Sequence, residues 1–240
     1  PYKTWESNIR GTYTILDSLI GNKKIKSIIL ASSDKSYGTY PKSLLPYKET
    51  YSSRAVYPYD VSKACADMIG QTYASELFKL PIITTRFSNI YGPGQMNFSA
   101  IVPDGIRSGL GYSNFVPRSD GSMVRDFIFS EDVADLYMRI AKELSLNQNK
   151  LRGEIFNAGS NDPIDMKSLL VKIYTSLGNL KGLEVILKEM KGKKTTGEIQ
   201  HQHMSFDKVF EFFDWKPSNS IDEGIKKSIE WYNKILKQNA

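Results

Sequence analysis

The chain has 240 residues, 40% of them hydrophobic, 24% charged and 12% aromatic, with a net charge of +6. That is ample material for one large or two small packed domains, with no repeat and no low-complexity segment. No apolar run reaches the roughly 18 residues of a membrane span, and the densest basic run, Lys188 to Lys194, lacks interleaved aromatics and reads as a solvated face rather than a nucleic-acid site.

Trp5, Ile9, Thr12, Leu16 and Ile20 recur at helical spacing and predict an amphipathic helix over residues 3–20, closed by Gly21-Asn22. Residues 26–32 read as a buried strand that ends at Ser32-Ser33-Asp34-Lys35. A long loop rich in Pro, Ser and Tyr follows over 39–58, and loops of that length inside a domain are often functional. Pro58 then opens a helix over about 59–79, and residues 81–87 form the next strand. Strand, helix, strand is a parallel βαβ unit. Beyond Gly94 the sequence predicts a helix at 99–109, a strand at 124–129, and a helix from Ser130 to about 145 with Ser130 as its N-cap. A strand at 154–157 and a helix at 166–178 follow. A weak strand at 184–187 and helices at 205–213 and 221–238 complete the chain.

Cys65 is the only cysteine, so no disulfide can form within the chain, and a reducing cytoplasm suits it. The two histidines, His201 and His203, have no acidic or cysteine partner at ligand spacing, so no metal site is expected.

Tyr59 and Lys63 lie four residues apart on one helical face. A cation near a phenol favours the phenolate, which can take a proton from an alcohol. With 14 tyrosines in the chain, however, one such spacing is expected by chance. Ser33, at a strand end, could share the alcohol with Tyr59 or simply satisfy backbone. Asp34-Lys35 is either a surface turn or an acid–base pair. In the second case a protonated Asp34 gives a proton to a leaving hydroxyl. A neutral Lys35 takes one from carbon beside a carbonyl. Asn89 and Arg125 suit a diphosphate, the alternative for Arg125 being an ion pair with Asp126 or Glu131.

Taken in order, Asn8-Ile9-Arg10-Gly11-Thr12, Ser32-Ser33-Asp34, Tyr37-Gly38, Tyr59-x-x-x-Lys63, Arg86 to Gly94 and Arg125-Asp126-Phe127 resemble the extended short-chain dehydrogenases/reductases, the NAD-dependent epimerases and dehydratases of nucleotide sugars. The resemblance implies a Rossmann α/β fold, NAD as cofactor and a nucleotide-sugar substrate. It matches Ser33, Tyr59 and Lys63 to the catalytic triad and Asn8 to its support. It places Asn8, Ser32, Tyr59 and Lys63 at the cofactor, and Asn89, Arg125 and Asn157 at the nucleotide sugar. The Asp34-Lys35 pair and the run Ser62 to Ala66 resemble the CDP-glucose 4,6-dehydratases, which carry Asp-Lys where the dTDP-glucose enzymes carry Asp-Glu.

No glycine-rich dinucleotide loop of the G-x-G-x-x-G kind occurs, and the chain opens at Pro1 in a helical pattern. The expectation is therefore a carboxyl-terminal portion: a partial Rossmann sheet over 1–94, lacking its amino-terminal strands. A smaller α/β substrate lobe over 95–240 would return elements to the sheet near 124–145. The strand at 26–32 should be an exposed edge, and helices 3–20 and 59–79 should form a homodimer interface. Three other readings stay open: a 4-epimerase or reductase of the same family, an inert scaffold of the same fold, and a nucleic-acid binder that rests only on net charge.

Overall fold

The computed structural model describes residues 1–194 and 198–238. The first helix, α1, runs in three parts: Tyr2–Trp5, a wider π turn Glu6–Arg10, and Gly11–Ser18. Strand β1 (Ile28–Ser33) follows, then helix α2 (Pro58–Ala74) and strand β2 (Ile82–Phe87). Pro58 sits in the first turn of α2, where its fixed φ suits the helix and its missing N–H costs nothing. Strand β3 (Asn89–Tyr91) and helix α3 (Ile101–Gly109) lead to β4 (Val124–Arg125) and β5 (Phe127–Phe129). Next come α4 (Ser130–Leu146), α5 (Gln148–Leu151), β6 (Ile155–Ala158) and β7 (Ile164–Asp165). Helices α6 (Met166–Ser176), α7 (Leu180–Met190), α8 (Asp207–Phe213) and α9 (Ile221–Gln238) end the chain.

The main sheet is parallel, in the order β1-β2-β6, with Ile28 opposite Ile82 and Thr84 opposite Ile155. Strand β2 is buried along its whole length, as a central parallel strand must be, whereas β1 is mostly half-buried and forms the edge. Helices cover both faces. Leu16, Ala74, Leu80 and Ile82 pack α1 and α2 on one side. Val133, Leu136, Ile140 and Leu144 of α4 meet Ile83, Phe87 and Phe156 on the other. A separate core joins Ile106 of α3, Leu169 and Ile173 of α6, Leu183 and Ile186 of α7, and Ile225 and Tyr232 of α9.

Three sequence expectations need correction. Residues 184–187 are helical, within α7, because Leu183, Ile186 and Met190 share one buried helical face and the Asn179 side chain caps Gly182 N–H. Ser130 is the first residue of α4 rather than its N-cap, a place taken by Phe129 without a side-chain bond. The strand at 124–129 breaks at Asp126. Its two halves pair differently, β4 antiparallel with β7 and β5 parallel with β3.

Candidate active site

Strand β1 ends at Ser33 in extended geometry (φ −151°, ψ 157°), and the chain turns at once into a 3₁₀ turn, Asp34–Tyr37. The Ser33 hydroxyl accepts from Lys35 N–H at 3.3 Å and donates to Asp34 Oδ1 at 2.9 Å. Ser36 Oγ donates to the Ser33 carbonyl at 2.8 Å. Gly38 (φ 71°) closes the turn where a Cβ would lie 2.1 Å from the Arg54 carbonyl oxygen. Ser33, Asp34 and Lys35 thus stand at the carboxyl edge of a parallel strand, where open α/β sheets bind ligands.

Tyr59 lies in the first turn of α2 and stays 46% exposed. Lys63 follows on the same face, its Nζ 5.9 Å from the Tyr59 ring centroid and donating to the Ala31 carbonyl at 3.0 Å. Asn8 sits inside the π turn of α1, a helix irregularity that often re-aims a side chain. Its Nδ2 donates to Ser62 Oγ at 2.9 Å, and Ser62 Oγ donates to the Tyr59 carbonyl at 2.7 Å. Asn8 therefore supports the turn that carries Tyr59.

A cleft of about 700 Å³ opens above these groups. Ser32, Ser33, Asp34, Lys35 and Tyr59 line it together with Asn89, Arg125 and Glu198 and the apolar Phe115, Val116 and Met190. Arg125 is buried, its Nη1 donating to Val124 O at 2.9 Å and its Nη2 3.4 Å from Glu198 Oε2. The ion-pair partner is thus Glu198, not Asp126 or Glu131. Asn89 Nδ2 donates to the Asp126 carbonyl at 3.0 Å. Asn157 is not brought to the cleft. It is fully buried, its Oδ1 accepting from Tyr37 OH at 2.7 Å and its Nδ2 donating to Tyr47 O at 3.1 Å.

Burial sets the electrostatics. It pushes the Asp34 carboxyl above its ordinary value, against the pull of Lys35 and of the Ser33 hydroxyl. Asp34 Oδ2 is enclosed with no hydrogen-bond partner, as a neutral carboxyl tolerates better than a carboxylate. Burial also pulls the Lys35 ammonium below its ordinary value; Asp34 opposes this and Arg125 assists it. Lys63 is lowered by the same cause. The Tyr59 phenol is raised by loss of solvent and by the Asp34 and Asp60 charges, while the Ser33 hydroxyl pulls it back. Asp34 and Lys35 are thus each moved toward the uncharged form, as an acid–base pair near neutral pH requires.

Two participants are not visible in the sequence pattern, and a third, Asp126, makes bonds its motif does not reveal. Glu198 and Gln202 arrive from the segment before α8, and Gln202 Oε1 accepts from Lys35 Nζ at 2.6 Å. Asp126, fully buried, accepts from Ser160 N–H, Asn161 N–H and Met204 N–H, fixing that segment beside β4. Burial raises its carboxyl to about 6. Gln202 and Met204 are inside and their histidine neighbours half out, but the sequence carries no such alternation, so nothing in the pattern marks them.

A parallel sheet clad by helices on both faces, with hydroxyl, carboxyl, amine and phenol groups gathered at its carboxyl edge, is a Rossmann-like α/β arrangement. The chain belongs to the NAD dependent epimerase/dehydratase family, whose sequence model matches residues 1–159. It is 27% identical over 228 residues to a trifunctional UDP-glucose 4,6-dehydratase/UDP-4-keto-6-deoxy-D-glucose 3,5-epimerase/UDP-4-keto-L-rhamnose-reductase of Arabidopsis thaliana, covering 95% of this chain and 32% of that protein. Human dTDP-D-glucose 4,6-dehydratase is 27% identical over 229 residues, 94% of this chain and 61% of that one. The chain thus spans about a third to three fifths of these relatives. Among solved structures, dTDP-glucose 4,6-dehydratase from Bacillus anthracis in complex with NAD superposes with a TM-score of 0.78 at 26% identity, over 97% of this chain and 69% of that one.

Proposed function

We propose that the protein is a nucleotide-sugar 4,6-dehydratase that uses NAD and converts a CDP-glucose-like substrate to a 4-keto-6-deoxy sugar. The observation that carries this reading is the buried Asp34–Lys35 pair on the cleft wall, each member shifted toward neutrality beside Ser33 and Tyr59. A C4 epimerase has no need of a second acid and base there. The 4,6-dehydratase relatives support the reaction. The Asp-Lys identity of the pair supports the nucleotide.

The residues present fit the reacting end of NAD. Tyr59 offers an exposed phenol and Lys63 an ammonium, and Ser88, in the cleft wall one strand over, has a buried hydroxyl without a partner. Held there, NAD would supply a reversible hydride acceptor, so that oxidation at carbon 4 and reduction at carbon 6 would leave no net redox. Tyr59, with Ser33 beside it and Lys63 on the same helical face, takes the proton of the 4-hydroxyl. Carbon 5 is acidic once carbon 4 is a carbonyl; neutral Lys35 removes its proton and, as the ammonium, returns a proton to carbon 5 when carbon 6 is reduced. Protonated Asp34 gives its proton to the departing 6-hydroxyl, which leaves as one water. Arg125 and Asn89 face the diphosphate across the cleft.

Incubation of the full-length protein and NAD with CDP-, dTDP- and UDP-glucose tests the reading. A 4-keto-6-deoxy product, formed fastest from CDP-glucose, is expected; inversion at carbon 4 without loss of water rejects it. The proposal extends to a homodimer through α1 and α2, supported by the exposed Tyr2, Trp5, Tyr13 and Ile15 on α1 and Met68 on α2. It extends also to residence in a reducing cytoplasm, supported by the free thiol of Cys65.

A further inference from the structure

Gln202 lies 167 residues beyond Lys35 in the chain, yet its Oε1 accepts from Lys35 Nζ at 2.6 Å. The side chain is fully buried. The backbone around it is tied down on both sides. Gln202 N–H donates to Val124 O at 3.1 Å, and Val124 N–H donates to Gln200 O at 2.8 Å. Met204 N–H reaches Asp126 Oδ2 at 3.3 Å, and Tyr47 N–H reaches His203 O at 3.0 Å. The Tyr47 phenol also lies beside the Gln202 amide. The backbone that carries this amide is therefore fixed; its Nε2 is buried without a hydrogen-bond partner, and its Oε1 meets Lys35.

Four charged groups influence Lys35: Asp34 from its own turn, Asp60 from α2, Arg125 from β4 and Glu198 from the segment before α8. Among the described residues, no carboxylate lies within ion-pair distance of its Nζ, and the bond to Gln202 is to a neutral carbonyl. A lysine side chain carries about 2 kcal/mol of rotamer entropy, which an acceptor that holds it removes before the proton moves. An acceptor with a negative charge would hold it but would also raise its pKa by about 1–3 units. A neutral carbonyl holds it without that effect, because an uncharged amine still has N–H groups to donate.

We propose that Gln202 is the positioning residue for Lys35, fixing the amine at the cleft with a neutral acceptor where a carboxylate would fix the proton on it as well. This rests on the reading of Lys35 as the base at carbon 5.

Two variants of the full-length protein test it: Gln202→Glu, equal in size but charged, and Gln202→Met, equal in length but without an acceptor. The first readout is the pKa of Lys35 from the pH dependence of its competitive acetylation by acetic anhydride, followed by peptide mass spectrometry; it needs no turnover. Gln202→Glu should raise that value by about 1–3 units, and Gln202→Met should not raise it. In the second readout, Gln202→Glu moves the acidic limb of the pH–kcat profile upward by the same amount. Gln202→Met lowers kcat by roughly tenfold to a hundredfold, with KM little changed. An unmoved Lys35 titration in folded Gln202→Glu overturns the proposal, whatever the activity. If that variant does not fold, Gln202→Met decides: an unaltered kcat overturns it. A moved titration in a protein that dehydrates no nucleotide hexose rejects the dehydratase reading and supports the Gln202–Lys35 relationship.

Discussion

Lys63 donates to the Ala31 carbonyl at 3.0 Å, so one ammonium both ties α2 to β1 and supplies positive charge on the face that carries Tyr59. The two roles separate under mutation. Lys63→Met should lower turnover by about 10²- to 10⁴-fold, the usual worth of the proton transfer that Tyr59 makes with its support. It should cost only about 1 kcal/mol of stability, for one partly solvated hydrogen bond. Tyr59→Phe should lose activity to a similar degree with little change in unfolding midpoint, since the ring is 46% exposed. Turnover of a nucleotide hexose and urea unfolding of both variants check this.

The Asp34–Lys35 pair sets an expected pH profile. In the proposed reaction Lys35 acts as a base only when neutral, and its lowered value brings the acidic limb down toward neutrality. Asp34 acts there as an acid only when protonated, and its raised value brings the alkaline limb up toward neutrality. Activity should be bell-shaped. In deuterium oxide, Asp34→Asn should still place solvent deuterium at carbon 5, since Lys35 remains, while losing water about 10²-fold or more slowly. Lys35→Met should show neither event, read by NMR of the sugar. Exchange at carbon 5 in Lys35→Met would remove that residue from the mechanism.

Gly38→Ala should destabilise the protein by about 3 kcal/mol, because φ of 71° strains an L-residue. The added Cβ would also lie 2.1 Å from the Arg54 carbonyl oxygen, a backbone atom. Neither can relax without moving the loop that follows the site turn. A thermal midpoint within a degree or two of wild type would show that the loop gives way.

Asn157 separates a binding role from a supporting one. Asn157→Ala strands the Tyr37 hydroxyl and the Tyr47 carbonyl, each buried, so a loss of about 3 kcal/mol is expected. KM of the protein that remains folded should be unchanged. A raised KM with stability intact would return Asn157 to the substrate contacts.

The dimer is tested through Ile15, 62% exposed, and Trp5, 44% exposed, on α1. Sedimentation of the full-length wild type should give a dimer. Trp5→Glu combined with Ile15→Glu should give a folded monomer, as a charge buried in an apolar interface is costly. A monomeric wild type removes the interface.

Elements that carry their own periodicity are legible in the sequence alone. β2 is an apolar-to-polar run ended by Ser88-Asn89 and matches the expected strand, while α2, framed by Pro58 as expected, ends at Ala74 rather than near residue 79. Helix α7 escapes such a reading because Leu183, Val185, Ile186 and Leu187 satisfy a strand pattern locally; only Met190 and the Asn179 cap reveal the helical period. Local chemistry groups Ser33, Asp34, Lys35 and Tyr59, and the cleft brings those four together. What stays hidden are partners chosen by tertiary contact. Asp126 reads as one half of an Arg-Asp pair, yet its bonds go to Ser160, Asn161 and Met204. Asn157 reads as a polar ligand at a strand end, and it is spent on two tyrosines.

The reach from Gln202 back to Lys35 also imposes an order in time. A ribosome delivers β1, the site turn and α2 long before it delivers the segment that carries Gln202, 167 residues after Lys35. Until then Lys35 has neither that acceptor nor the cover of that segment, and a lysine in water keeps its proton at neutral pH. If Lys35 is the base at carbon 5, a chain lacking that segment would therefore leave it protonated.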